Sequence, residues 1–140
     1  MSTAGSVHQP KLTQRRTIDR SDGASFVLYP QQRLVLVTMG SRITLKDLAE
    51  YARLLQREPS FEPTFSEIAD IRAAEEVALD ADDLMKIADD IDPFSPEAKR
   101  AFVVRTASQA HAARMHKILR TERNFQIFRS LDAAQRWIEA

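Results

Sequence analysis

The sequence predicts a single α/β domain with a mixed, mainly parallel five-stranded sheet in the order ββαβαβαβα. The 140 residues are 44% hydrophobic and 29% charged, which is typical of one globular domain. Short β-rich segments alternate with amphipathic segments of helical length, which favours parallel strands joined by helices. Only two residues separate the first two β-rich segments, so one strand must run antiparallel to the others.

Each element has its own signal. Runs of Val, Leu, Ile, Phe and Tyr predict strands at 24–30, 33–40, 64–72, 99–106 and 124–130. Apolar residues at helical spacing predict helices at 44–58, 80–92, 107–121 and 131–140. Thr44, Asp80 and Ser130 stand where N-caps belong, and Pro93 ends the second helix. The segment 1–23 is rich in Ser, Thr and Gln and is basic, which predicts a flexible N-terminal tail before the domain 24–140.

Composition excludes several classes of chemistry. Cysteine is absent, which removes disulfides and thiolate catalysis and favours a cytoplasmic location. The apolar runs are shorter than the ~20 residues that cross a bilayer, so we expect no stable membrane insertion. The three glycines form no phosphate-binding loop, and no cofactor is expected.

Metal and nucleic-acid binding are not expected either. His111 and His116 are five residues apart, which separates their side chains around a helix, so no metal site is predicted. The helical stripe places His111 near the core and His116 nearer the exposed side. Residues 47–92 carry fourteen acids and four bases, whereas 99–129 carry eight bases and one acid. With neutral net charge and no recognised motif, this separation favours attraction between two faces in a homodimer over binding to nucleic acid.

The segments "EIADIR", "KRAFVV", "AARMHKIL" and "FQIFRSLDAAQRWI", in this order of elements, resemble the bacterial SpoIIAA-like proteins of the STAS/Sec14-like superfamily. The resemblance covers roughly 24–140. It implies a β/α superhelix that acts without catalysis, as a regulatory module for a protein partner. Sec14-like relatives instead enclose a lipid or another apolar ligand. Anti-sigma-factor antagonists carry a phosphorylatable serine after the third strand, but this chain has no Ser or Thr from Glu67 to Phe94.

The candidate site lies at the carboxyl ends of the parallel strands, where open α/β sheets bind ligands. The residues expected there are Asp70, Arg72, Arg105, Thr106 and Ser108. They would bind a protein partner or a small anionic or apolar ligand, with the arginines holding an anion. Three alternatives stay open. Asp70 pairs internally with Arg72 or Arg105; the protein is a lipid or small-anion carrier of Sec14-like type; or Asp70 is the general base of an enzyme. Thr106 and Ser108 precede a helix, and N-capping explains them without a nucleophilic role.

Overall fold

In the computed structural model, the strand at 16–18 and residues 23–140 form eight strands and four helices, apart from short turns. The strands are β1 Arg16–Ile18, β2 Ser25–Tyr29, β3 Leu34–Thr38, β4 Arg42–Thr44, β5 Ser66–Asp70, β6 Glu76–Ala78, β7 Arg100–Val103 and β8 Phe125–Phe128. The helices are α1 Leu45–Gln56, α2 Ala81–Lys86, which continues as a π-helical turn Ile87–Ile91, α3 Ala107–Arg120 and α4 Leu131–Glu139.

The main sheet has the strand order β1-β2-β3-β5-β7-β8. Strands β3, β5, β7 and β8 are parallel, and β2 pairs antiparallel with both β3 and β1. This confirms the α/β class and the mainly parallel sheet with one antiparallel strand. The main sheet has six strands rather than the predicted five, because β1 extends its edge. In addition, β4 and β6 form a separate parallel pair.

The predicted N-terminal tail falls mostly outside the described residues. Within it, Arg16–Ile18 form β1 and pair with Phe26 to Leu28 of β2. The remainder, 1–15 and 19–22, lies outside the part of the chain that the structure describes, so the division at residue 23 stays a prediction.

The helix starts follow the predicted caps. The hydroxyl of Thr44 accepts the amide of Asp47, and Ser130 accepts the amide of Ala133. Asp80 forms a reciprocal capping box with Asp83, in which each side chain accepts the other residue's backbone N–H. These bonds satisfy amides that the first turn of a helix leaves without partners, and so fix where each helix begins.

The two faces of the sheet pack against different helices. Alternate strand residues such as Phe26, Val35 and Ala69 face α1, α2 and α3, and the other set, including Ile68 and Val103, faces α4. Within the described residues, no helix is long and apolar enough to span a membrane. The face with three helices has room for a pocket, whereas α4 covers the other face alone.

Candidate functional site

The strand-end prediction centres on Asp70, the last residue of β5. Its carboxylate accepts two side-chain hydrogen bonds from Arg72, from Nε to Oδ1 at 2.9 Å and from Nη2 to Oδ2 at 2.8 Å. The backbone N–H of Arg72 also donates to Oδ1, at 3.1 Å. Of the two internal pairs considered, the structure contains the one between Asp70 and Arg72, a two-pronged geometry that favours arginine.

This pairing sets the protonation of Asp70. Partial burial alone would raise its pKa, but the side-chain and backbone hydrogen bonds from Arg72 outweigh it and lower the pKa below the ordinary 3.8. A carboxylate with a lowered pKa is a weak general base near neutral pH. The geometry therefore argues against Asp70 as a catalytic base.

Gln109 organises the remaining predicted residues. Its Oε1 accepts the amides of Arg105 and Thr106, at 2.7 and 3.2 Å. Its Nε2 donates to the carbonyls of Arg72 and Ala74, at 3.3 and 2.7 Å. A buried glutamine thus joins the loop after β5 to the start of α3, and the sequence reasoning did not identify it.

The other predicted residues lie around this joint. Arg105 donates from Nε to the carbonyl of Arg72 at 3.0 Å, so its side chain contacts the same loop. Thr106 is the N-cap of α3 and accepts the amide of Gln109 at 3.1 Å. Ser108 is exposed on the first turn of α3 and does not cap it. The five predicted residues are brought to one edge, and their role in binding stays a prediction.

A different feature dominates the face beneath α1, α2 and α3. A pocket of about 100 Å³ lies there, with a floor that includes Val37, Ala69 and Phe102 from β3, β5 and β7. Its walls include Leu48 of α1 and Ile87 of the π-helical turn. The lining is almost entirely apolar except at one end, which we call the polar end.

The polar end consists of Tyr51, Glu67, Asp92, Arg100 and His116. Its centre is Arg100, the first residue of β7, whose side chain is 3% exposed. Nε and Nη2 of Arg100 donate to Oε1 of Glu67 at 3.0 and 2.7 Å. Nη1 donates to Asp92 at 2.8 Å and to Oε2 of Glu122, behind the pocket, at 2.7 Å. One guanidinium therefore binds three buried carboxylates.

Three further side chains complete what we call the buried charge cluster. Tyr51 donates its hydroxyl to Oε2 of Glu67 at 2.7 Å. Nε2 of His116 lies 2.6 Å from Oδ2 of Asp92. Arg120 donates from Nε to Oε2 of Glu122 at 3.0 Å. The cluster comprises Tyr51, Glu67, Asp92, Arg100, His116, Arg120 and Glu122.

The cluster perturbs its own titration. Burial alone would lower the pKa of Arg100, but the carboxylates of Glu67, Asp92 and Glu122 outweigh it and hold the pKa well above its ordinary value. For Asp92, burial would raise the pKa, yet Arg100, His116 and Arg120 hold it well below 3.8. Burial, together with the charge of Glu67, raises the pKa of Tyr51. Arg100 and Asp92 are therefore charged and Tyr51 is neutral across the usual pH range.

Among the described residues, Asp92, His116 and Glu122 lie close enough together to hold a metal ion, because their ligand atoms lie within 4.8 Å of one another. The arginines already bond these carboxylates, and two guanidinium charges oppose a cation there. The prediction of no metal site was based on the spacing of His111 and His116, and it did not include the group formed by Asp92, His116 and Glu122.

The histidine placement expected from the helical stripe is wrong. His116 is 8% exposed and belongs to the cluster, whereas His111 is exposed. The buried side of α3 consists of Gln109, Ala110, Ala113 and His116. The larger Ile118, two residues after His116, lies on the opposite side of the helix and is 63% exposed. The i, i+3 spacing from Ala110 to Ala113 and on to His116 was the signal that could have located His116.

No protein-family model matches the chain, and no curated protein matches it either. Among solved structures, it matches the crystal structure of an anti-sigma factor antagonist from Mycobacterium paratuberculosis. The two are 13% identical with a TM-score of 0.49, and the match covers 91% of this chain and 94% of that chain. At this identity and TM-score, the match carries no argument about what the chain binds or does.

Proposed function

We propose that the chain is a non-enzymatic, SpoIIAA-like binding module of regulatory type, and that its ligand is a small, largely apolar molecule held in the pocket. The observation that carries this proposal is the pocket itself, an apolar space of about 100 Å³ closed at one end by the buried charge cluster. Apolar pockets with a few convergent polar groups are the usual form of small-molecule sites.

The volume limits the ligand. An apolar cavity of about 150 Å³ in another protein accommodates benzene, so a space of about 100 Å³ limits the ligand to at most about the size of a single ring or a short chain and excludes a complete lipid. Of the alternatives from the sequence, the pocket favours a small apolar ligand over a whole-lipid carrier.

The hydroxyl groups near helix starts support binding rather than catalysis. Thr44, Thr106 and Ser130 each accept a backbone amide as N-caps, and none has a base in hydrogen-bond contact among the described residues. Asp70 carries three bonds from Arg72. Since the chain also lacks a hydroxyl from Glu67 to Phe94, regulation at this pocket would depend on occupancy rather than on phosphorylation there.

A pocket-filling variant tests the proposal. Ala112 of α3 lines the pocket, so Ala112→Leu should place a larger side chain in the ligand space. Exposed Ala107, on the same helix, is outside the lining and gives the matched control Ala107→Leu. In thermal-shift and NMR titrations with benzene and toluene, we expect binding to the wild type and to Ala107→Leu, and its loss in Ala112→Leu. Equal binding by both variants would place the ligand elsewhere, and no binding to any of them would remove the proposal.

A protein partner at the strand-end edge is the second candidate, favoured by the exposure of Arg105 and Ser108 beside half-buried Arg72. Arg105→Ala should weaken capture of such a partner while leaving binding of benzene in the pocket unchanged. If Arg105→Ala changes only the free energy of unfolding, this edge is structural. Self-association through the acidic and basic faces also stays a prediction, and light scattering on the full chain tests it.

A further inference from the structure

The charged groups at the polar end of the pocket bind one another. Both oxygens of Glu67 accept hydrogen bonds, from Arg100 and from Tyr51. Both oxygens of Asp92 are also used, Oδ1 by the amide of Phe94 at 2.9 Å and Oδ2 by Arg100 and His116. A ligand that entered the pocket would therefore meet carboxylates that already have donors.

Arg100 does not offer an anion site either. Nη1 donates to two carboxylates, and Nε and Nη2 both donate to Glu67. Its guanidinium also stacks over the ring of Phe94, with Cζ 4.6 Å from the ring centroid. These four bonds leave one N–H of Nη2, so a ligand carboxylate that bound with both oxygens would have to displace Glu67, Asp92 or Glu122, all of which are tethered and buried.

The net charge of the cluster also disfavours an anionic ligand. The cluster contains three carboxylates, Glu67, Asp92 and Glu122, and two guanidiniums, Arg100 and Arg120. Its formal charge is −1 with His116 neutral and zero with His116 protonated, so it is positive in neither state. An anion gains no attraction there, and a cation finds no carboxylate oxygen of Glu67 or Asp92 without a donor. Oε1 of Glu122 has no hydrogen-bond partner among the described residues, but Glu122 does not line the pocket. An ion buried without a partner carries a large desolvation cost.

We propose that the pocket selects an uncharged ligand, a small apolar molecule with one neutral hydrogen-bonding group such as a hydroxyl, and excludes anions and cations of the same size. This inference rests on the proposed function. Two atoms at the polar end suit such a group. The hydroxyl oxygen of Tyr51 donates to Glu67 and retains lone pairs, and His116 uses Nε2 toward Asp92, leaving Nδ1 for a ligand.

Three probes that differ in charge test the selection: benzyl alcohol, benzoate and benzylammonium, each titrated into the full chain by ¹H–¹⁵N NMR. We expect benzyl alcohol to shift the amides of Ala112, Ala113 and His116, and each ion to bind about tenfold more weakly or worse. Binding of benzoate or benzylammonium as tight as that of the alcohol would overturn the inference and leave the proposed function intact. If none of the three probes binds but benzene does, the inference is also wrong, because the polar end then accepts no hydroxyl. If benzene fails as well, the proposed function is wrong.

A charge variant gives a second readout. Glu122→Gln removes one negative charge from the cluster at a residue that does not line the pocket. We expect this variant to bind benzoate more tightly than the wild type while its affinity for benzyl alcohol stays the same. No change in benzoate binding in the folded variant would contradict the electrostatic argument. If Glu122→Gln does not fold, the comparison of the three probes on the wild type still tests whether the pocket selects an uncharged ligand.

Discussion

Glu67 and Arg100 are direct neighbours on the adjacent parallel strands β5 and β7, and their side chains form a buried ion pair at 2.7 Å. Their side chains are 2% and 3% exposed. A charge in such a position is tolerated because its partner is opposite it in the sheet register. The pair thus links the packing of the sheet to the polar end of the pocket.

Replacing Arg100 should destabilise the fold strongly. Arg100→Met leaves Glu67, Asp92 and Glu122 buried without their common donor, and removing one partner of a buried ion pair typically costs about 3–5 kcal/mol. Urea unfolding followed by circular dichroism measures the change. The control is Arg42→Met, which breaks the exposed pair of Arg42 and Glu76 and should cost less than about 1 kcal/mol. Equal losses in the free energy of unfolding for the two variants would mean that burial does not determine how strongly the Arg100 contacts stabilise the fold.

Low pH should remove the contribution of Asp92 to the free energy of unfolding. Its pKa in the folded chain lies below the ordinary 3.8 that applies when unfolded, so its ionised form stabilises the fold at neutral pH. This contribution to stability is fully present above about pH 3.8, the pKa of Asp92 in the unfolded chain, and it is lost as the pH falls below that value. We therefore expect Asp92→Asn to be less stable than the wild type at neutral pH, by about 1–3 kcal/mol for the lost bonds.

The gap between the wild type and Asp92→Asn should narrow in urea titrations from about pH 5 down to about pH 2, because Asp92 of the unfolded wild type takes up a proton over this range while Asp92 of the folded chain stays ionised. The control is Asp90→Asn, at an exposed pair with Lys86. It should differ little from the wild type at either end of this range. If the stability difference between the wild type and Asp92→Asn did not depend on pH, the lowered pKa of Asp92 would be wrong.

Gln109→Ala should loosen the loop after β5. The substitution removes four hydrogen bonds that join Arg72, Ala74, Arg105 and Thr106, and it leaves buried backbone groups without partners. We expect a loss of about 2–3 kcal/mol in the free energy of unfolding and faster amide exchange of Ala74. Hydrogen exchange measured by NMR gives both changes. Gln135→Ala, at a long and exposed contact to Glu139, should leave exchange in this loop unchanged.

Arg72, rather than Arg105, should control the titration of Asp70. Arg72→Gln removes the guanidinium that binds both carboxylate oxygens, so the pKa of Asp70 should rise toward its ordinary value. Arg105→Gln should leave it unchanged, because Nε of Arg105 donates to a backbone carbonyl. The ¹³Cγ shift of Asp70 against pH measures this directly. An equal rise in both variants would show that the two arginines share the carboxylate.

The fold was largely predictable because its signals are local. The apolar run of β7 and the caps at Thr44, Asp80, Thr106 and Ser130 occur within a few residues and appear in the structure, whereas Ser108 does not cap its helix. β1, β4 and β6 were not predicted, since each has three residues and no periodicity of its own. Such strands form because a neighbouring edge offers hydrogen-bond partners, which no local pattern records.

The difference between local and long-range signals also explains which site contacts could be predicted from the sequence. Asp70 and Arg72 are two residues apart, so their pairing could be considered from the sequence. Glu67 and Arg100 are 33 residues apart, and Arg100 and Glu122 are 22 apart. In the sequence, Arg100 reads as a charge at the edge of a strand. The strand register turns it inward, and that register exists only after the sheet has formed.

The π-helical turn at Ile87–Ile91 gives the pocket wall an unusual vulnerability. The amide of Asp92 bonds the carbonyl of Ile87 at 2.9 Å, five residues back, and this wider turn aims the Asp92 carboxylate at Arg100. Deleting one residue here would leave the four-residue spacing of an ordinary α-helical turn and would remove the wider turn from which the Asp92 carboxylate reaches Arg100. Exposed Asp89 and Asp90 therefore act as spacers. Their side chains can be exchanged, whereas their number sets the width of the turn.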